Sequence, residues 1–156
     1  MTRTMGAVLL SLAGALACSS PLSFDELAEL NEAEDRWESR GFGDYSIETR
    51  TSCFCATEVL EWVRIEVVSG QVARATILAT GEVITDARLQ YWTTVEALFD
   101  TIREANDADY VEDLRVAFDP TLGFPAQVDW IAPDNVQDAG SSRTLRNALP
   151  LDLILR

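Results

Sequence analysis

The sequence has 156 residues, 47% of them hydrophobic, which is enough for one ordinary domain with a packed core. All twelve basic residues are arginine and histidine is missing, which excludes histidine-based triads, histidine zinc sites and lysine Schiff-base chemistry. The net charge of −14 repels phosphate backbones, so we expect no nucleic-acid partner.

The first eighteen residues have the pattern of an export signal. Arg3 precedes an apolar run that is too short for a stable membrane span and ends in ALAC. This ending resembles the lipobox of bacterial lipoproteins, in which the cysteine is lipidated and becomes the new N-terminus. We therefore expect residues 1–17 to be a signal peptide and residues 18–22 to be a lipid anchor at Cys18 with a short tether. The alternative is an ordinary signal peptide with Cys18 incidental.

A lipid anchor at Cys18 predicts a location in the bacterial cell envelope, with the membrane as a partner through the acyl chains. The domain then faces an oxidising compartment, in which disulfides persist. Ser19 occupies the position at which an aspartate would indicate retention in the inner membrane. We therefore expect the outer membrane, facing the periplasm, if the cell is Gram-negative.

The first predicted elements follow the tether directly. Ser23 and Glu26 form a capping box for a helix over about 24–40, with apolar residues at helical spacing. From residue 45 the apolar period changes to two, which predicts a strand over about 45–55.

A hairpin and a second helix come next. Alternating apolar residues predict strands over about 60–68 and 72–79, joined by a glycine-containing turn. Thr93 and Glu96 form a second predicted capping box. The apolar spacing behind it predicts a helix over about 94–106.

The last third alternates again and completes the fold class. Three further strands are predicted, over about 114–118, 126–131 and 143–154. The order is α-β-β-β-α-β-β-β. Short antiparallel connections predict one twisted antiparallel sheet of about six strands with both helices packed on one face. We therefore expect residues 23–156 to form a single α+β domain.

The chemical state and role of Cys53 and Cys55 are not decided by the sequence. On a strand they share the face of Tyr45 and lie about 6.6 Å apart, near the upper limit for a disulfide. A local disulfide, two free thiols in the core and a catalytic redox pair are the three interpretations. Two thiolates without histidine cannot build a closed zinc site, so we expect no metal.

Several stretches together resemble a family of small bacterial lipoproteins that carry a domain of unknown function. Phe118 and Phe124 replace tyrosines that are usual in that family, and the loop residue Asp138 fits its pattern. The resemblance covers about residues 30–153 and implies no activity. It rests on Trp37, Tyr45, SCFC at 52–55, RIEVVSGQV at 64–72, TVEALF at 94–99 and FDPTLGFP at 118–125.

The residues favour recognition over catalysis. No catalytic motif and no cofactor site is identifiable, so we expect a non-enzymatic, lipid-anchored binding module, with an envelope protein as a possible partner and its oligomeric state open. Trp62 and Trp92 are candidate contact residues if their rings are partly exposed. The alternatives are an envelope thiol-redox protein that uses Cys53 and Cys55, and an inhibitor or regulator of an envelope hydrolase.

Overall fold

The computed structural model of the chain describes residues 21–55, 57–108, 111–133 and 140–153. These residues form an open antiparallel sheet of seven strands in the order β4-β3-β2-β1-β7-β6-β5. The predicted α+β class is confirmed, with seven strands in place of about six. The strands are β1 (Tyr45–Ser52), β2 (Val63–Val68), β3 (Gln71–Ile77), β4 (Val83–Ile84), β5 (Asp113–Phe118), β6 (Pro125–Ile131) and β7 (Ser141–Pro150).

Two long helices lie on one face of the sheet. Helix α1 spans Phe24–Glu38 and helix α3 spans Val95–Asn106, close to the predicted bounds. Three shorter helical segments complete the described part of the chain. They are α2 (Thr57–Leu60) between β1 and β2, the 3₁₀ turn Ala87–Tyr91 between β4 and α3, and the 3₁₀ turn Leu151–Leu153 after β7.

The two helices differ in how their N-termini are capped. Ser23 and Glu26 form the predicted capping box at the start of α1. The predicted pair Thr93 and Glu96 is wrong, because the N-cap of α3 is Thr94, whose hydroxyl accepts the Ala97 N–H. Glu96 is thereby released for contacts with α1 and β1.

Glu96 joins both helices to the sheet. Its carboxylate accepts hydrogen bonds from Trp37 Nε1 at 2.9 Å, Tyr45 Oη at 2.8 Å and Arg40 at 2.8 Å. Burial alone would raise the pKa of Glu96, but these hydrogen bonds and its own backbone N–H outweigh burial and hold it below the ordinary value. Burial raises the pKa of the Tyr45 hydroxyl, which also accepts the Val95 N–H.

The core fills the space between the helices and the sheet. The Trp37 ring lies 5.0 Å from the Tyr45 ring and 6.0 Å from the Phe124 ring, both edge to face. On the sheet, alternate residues of each strand enter this core, as the period of two requires. The fully enclosed sheet residues include Ile47, Val63, Ile65, Val67, Ala75 and Val128.

The N-terminal end of the described chain is already part of the core. Leu22 is 4% exposed, and its N–H donates to Asn106 Oδ1 at 2.8 Å. The predicted tether of residues 18–22 is therefore too long, because Leu22 belongs to the domain. Cys18 and the predicted signal peptide lie outside the described residues. Within the described ranges no helix combines the length and apolarity needed to cross a membrane.

Two strand ends differ from the sequence-based expectation. Strand β1 ends at Ser52, so Cys53 and Cys55 lie in a bend after the strand and do not continue the alternation of Tyr45. In β7 the alternation expected of a strand breaks, because Leu145 is buried whereas Leu149, four residues further on, is 46% exposed. The cause is a bulge opposite β1, where Asn147 has a φ of 56° and shifts the register.

Candidate functional site

A cleft opens on the helix side of the sheet, at the end where β1 finishes and β7 begins. Its volume is about 280 Å³. Strands β1, β6 and β7 provide the floor, and α3 and the segment before β5 provide the walls. The lining residues are Thr51, Thr101, Val111, Trp130, Ile131, Ala132, Ser141 and Arg143.

Strand pairing brings Arg143 to the centre of this floor. Arg143 is opposite Thr51 on one side and Val128 on the other. Because facing residues of paired strands point to the same side of a sheet, Arg143 shares the helix-side face with buried Val128 and with Leu145, two residues further along β7. A charged side chain therefore occupies a position that the alternation assigns to an apolar one.

Arg143 differs from most arginines of the chain in its partners. Within the described part of the chain, seven arginines pair with a carboxylate within 4.0 Å: Arg40, Arg64, Arg74, Arg88, Arg103, Arg115 and Arg146. Among the described residues Arg143 has neither an ion pair nor a side-chain hydrogen bond, although it is partly buried. Burial lowers the pKa of its guanidinium, which still stays charged at any physiological pH.

The rest of the lining divides into polar and apolar parts. Thr51 and Ser141 supply hydroxyl groups, which both donate and accept hydrogen bonds. The Thr101 hydroxyl already donates to the Ala97 carbonyl oxygen at 2.8 Å, so it offers the cleft only an acceptor. Val111, Trp130, Ile131 and Ala132 supply apolar surface. None of the described lining residues is an acid or a thiol, so these side chains can hold an anion but offer no general base or strong nucleophile.

Cys53 and Cys55 follow Thr51, a lining residue of this cleft, along the chain. They are at disulfide distance, with their Cα atoms 5.3 Å apart. This separation is shorter than the 6.6 Å expected on a strand because the chain bends after Ser52. The expected core position is wrong for Cys55, which is exposed, while Cys53 is half-buried against the core. Burial therefore gives no argument against thiol chemistry at Cys55.

The chain belongs to a family of unknown function. The family DUF6174 matches residues 29–148, more than half of the sequence. No curated protein and no solved structure matches the chain.

The DUF6174 match covers the cleft and the cysteine pair but not Cys18. The resemblance noted in the sequence is thus confirmed for the domain of unknown function. The lipoprotein character remains a prediction.

Trp62 lies on the opposite face of the sheet from the cleft. Its ring is partly buried beneath two guanidinium groups, Arg146 at 3.7 Å and Arg50 at 5.2 Å from the ring centroid. Arg146 also donates to Glu48, a carboxylate that is 6% exposed and that Arg64 contacts from β2. Trp62 thus packs against the arginines of a charged network and keeps part of its own surface accessible.

Trp92 does not provide a contact surface. The side chain is 7% exposed and belongs to the hydrophobic core, so the partial exposure that a contact role would require is not met at this residue. Trp92 follows the 3₁₀ turn Ala87–Tyr91.

Arg143 is the site residue that the sequence interpretation missed. Its signal was present, since an arginine two residues before Leu145 in a strand falls on the buried face. The pairing of β7 with both β1 and β6 joins segments far apart in sequence. Only this pairing places Arg143, which is in phase with the buried residues of β7, at the floor of a cleft. Among the described residues no group of three or more acids or cysteines could hold a metal ion.

Proposed function

We propose that this chain is a lipid-anchored binding module of the bacterial cell envelope, held at Cys18, that takes a small anionic ligand in the Arg143 cleft. The observation that supports this proposal is the position of Arg143. Its guanidinium is partly buried at the floor of a cleft of about 280 Å³ and has no carboxylate partner among the described residues. A guanidinium in this position can bind an anion from solution.

The surrounding charge strengthens the argument. The chain has 26 acidic residues and 12 arginines, so the net field of the protein repels anions from most of its surface. An anion that binds must therefore meet a local positive charge. Arg143 supplies one, and no carboxylate among the described residues pairs with it. Binding, rather than turnover, is the function that these lining residues support.

The outer sheet face supports a second candidate, a contact with an envelope protein. Trp62 keeps part of its ring accessible there, and Arg50, which is exposed, has no carboxylate within 4.0 Å among the described residues. Tryptophan and arginine are enriched in the energetically dominant parts of interfaces. An inhibitor or regulator of an envelope hydrolase would use such a face.

Native mass spectrometry of the full chain, purified from the envelope fraction, tests the cleft. We expect the wild-type chain to carry a small-molecule adduct. Ala132→Phe fills the cleft and should remove that adduct. Ala117→Phe is the matched control, because Ala117 is exposed on β5 and faces away from the cleft.

The comparison requires that both variants fold, which thermal unfolding verifies. An adduct that Ala117→Phe keeps and Ala132→Phe loses supports the proposal. An adduct that survives in Ala132→Phe, or the lack of any adduct in the wild-type chain, contradicts binding in the cleft.

A further inference from the structure

We infer that the ligand of the Arg143 cleft is a small monocarboxylate with a flat apolar body, of the aromatic-acid type. This inference rests on the proposed binding function and specifies its ligand. It follows from the charge, the hydroxyl groups, the apolar wall and the size of the cleft.

The charge of the cleft favours one negative charge over two. Arg143 is the only cationic group among the described lining residues, and a planar guanidinium pairs with a carboxylate through two parallel hydrogen bonds. A phosphate dianion would bring a second charge that no other described lining residue neutralises. An unpaired charge in a partly desolvated site is costly, so the cleft selects a carboxylate.

The hydroxyl groups stand where they can complete that recognition. Thr51 faces Arg143 across the β1–β7 pair, and Ser141 lies two residues before it on the same face of β7. A carboxylate has about four lone-pair sites, of which a bidentate arginine fills two. The neighbouring hydroxyls can donate to the remaining ones, which satisfies the acid without another cation.

The remaining part of the lining suits an apolar body. Val111, Trp130 and Ala132 line the same cleft, and the Trp130 indole offers a flat face against which an aromatic ring can stack. The volume of about 280 Å³ lies just below the range of about 300–1,000 Å³ typical for drug-sized ligands. The ligand is therefore a single-ring compound or one of similar size.

Titration of the full chain with three probes, followed by two-dimensional amide NMR, tests this inference. The probes are benzoate, the neutral isostere benzamide and inorganic phosphate. We expect benzoate to bind at least tenfold more tightly than either of the others. Arg143→Gln should weaken benzoate binding at least tenfold, because the glutamine side chain has no charge.

Arg115→Gln is the matched control variant. It removes the same charge from an arginine that is exposed, pairs with Asp113 and lies on the other face of the sheet. It should leave benzoate binding unchanged. Ala132→Phe, which keeps Arg143, should abolish binding and so locate the probe in the cleft. Unchanged thermal unfolding of Arg143→Gln excludes a folding defect as the cause.

The outcomes separate the ligand class from the binding function. If benzamide binds as well as benzoate and Arg143→Gln changes neither, recognition of a carboxylate is overturned while binding in the cleft stands. Tighter binding of phosphate, lost in Arg143→Gln, overturns the carboxylate in favour of a phosphate. If no probe binds although native mass spectrometry shows a cleft-dependent adduct, the ligand class is wrong and the proposed function survives.

Discussion

The Glu48 carboxylate is enclosed although it lies on the sheet face opposite to α1 and α3. It accepts hydrogen bonds from Arg64 at 2.8 Å, Arg146 at 2.9 Å and the Asn147 amide at 2.9 Å. Burial alone would raise the pKa of Glu48, but these three donors outweigh burial and hold its pKa below the ordinary value. The bulge at Asn147 is what brings the amide to this carboxylate.

Glu48 should therefore make the stability of the fold depend on acidity. Because its pKa is lowered in the folded state, its contribution is present above the unfolded value, about 4.3, and is lost as the pH falls through the folded value. Glu48→Gln should cost about 1 to 2 kcal/mol at pH 7, and this deficit should shrink in acid. Urea unfolding at pH 7 and below pH 4 measures both effects.

Glu66→Gln provides the control for Glu48→Gln. Glu66 lies on the same sheet face and has a longer contact of 3.6 Å to Arg74, whose side chain is 52% exposed. Its loss should cost at most about 0.5 kcal/mol, as for an ordinary surface pair. Equal costs for the two variants would show that the three hydrogen bonds of Glu48 stabilise the fold no more than an ordinary surface ion pair does.

Trp62 should cost less on truncation than a core tryptophan. Its ring is only partly buried, and its defined contacts are with the guanidinium groups of Arg146 and Arg50. Each such contact contributes about 0.5 to 1 kcal/mol at an exposed site, so Trp62→Ala should cost about 1 to 2 kcal/mol. Trp37→Ala, at a fully enclosed ring, should cost about 3 to 5 kcal/mol. Chemical unfolding compares them, and equal costs would place Trp62 in the core.

At the level of elements, the turn between β5 and β6 docks directly on α1. Gly123 is buried with a φ of 86°, and a Cβ there would collide with the Ala33 carbonyl oxygen and lie 2.9 Å from Arg36 Cβ. The Asp119 side chain orders the same turn by accepting the Thr121 and Leu122 N–H groups. The sequence stretch FDPTLGFP thus forms a turn that packs against α1, and it requires glycine at position 123 because any side chain there would collide with the helix backbone.

Gly123→Ala should therefore be strongly destabilising. It adds overpacking of about 1 to 3 kcal/mol to a left-handed backbone cost of about 1 to 2 kcal/mol. Gly70→Ala is the control, because Gly70 has a φ of 75° and nothing within 4 Å of its Cβ position. It should show the backbone cost alone. Thermal or urea unfolding measures the difference, and equal losses would contradict the steric role of Gly123.

The cysteine pair ends β1, and we expect it to be oxidised in the mature chain. Denatured protein without reductant should then show no thiol labelling at Cys53 and Cys55, and two labels after reduction. Because the bridge closes a three-residue loop, its loss in Cys53→Ser/Cys55→Ser should cost only about 1 to 2 kcal/mol on the chain-entropy scale. Two labelled thiols in the unreduced, denatured chain would contradict the disulfide.

Local patterns anticipated the helices well and the sheet only in part. The spacing of apolar residues and the Ser23 cap placed α1 within two residues, because both signals act within one helical turn. The end of β1 at Ser52, the bulge at Asn147 and the short strand β4 were missed. Each depends on a partner strand, and pairing across the sheet is set by tertiary contacts that no local pattern contains.

The same limit explains the candidate site. Trp62 and Trp92 were singled out by residue type, and their surroundings gave them different roles, one beneath two arginines and one in the core. Arg143 was visible as an in-phase arginine, but its cleft requires β7 to lie between β1 and β6. The chemical character of each residue could thus be predicted from the sequence alone. The proximity of Arg143, Thr51 and Trp130 could not, because it depends on strand pairing.

For the whole molecule, the predicted anchor determines where the cleft can work. Leu22 is fixed in the core, so at most residues 19–21 separate Cys18 from the folded domain, a span of about 10 Å when extended. A lipidated Cys18 would hold the folded domain that carries the cleft close to the membrane surface. Its ligand would then be one that is available at that surface or in the space beside it.

Cys18→Ser tests the anchor. Acyl chains contribute about 0.8 kcal/mol per buried methylene group, so two or more hold a protein firmly on a membrane, and their loss should move the chain from the membrane pellet to the soluble fraction. Ser19→Ala, at the next residue, should leave it in the pellet. Thermal unfolding of both variants checks that neither substitution disturbs the domain. A Cys18→Ser chain that pellets as firmly as the wild-type chain would rule out the lipid anchor.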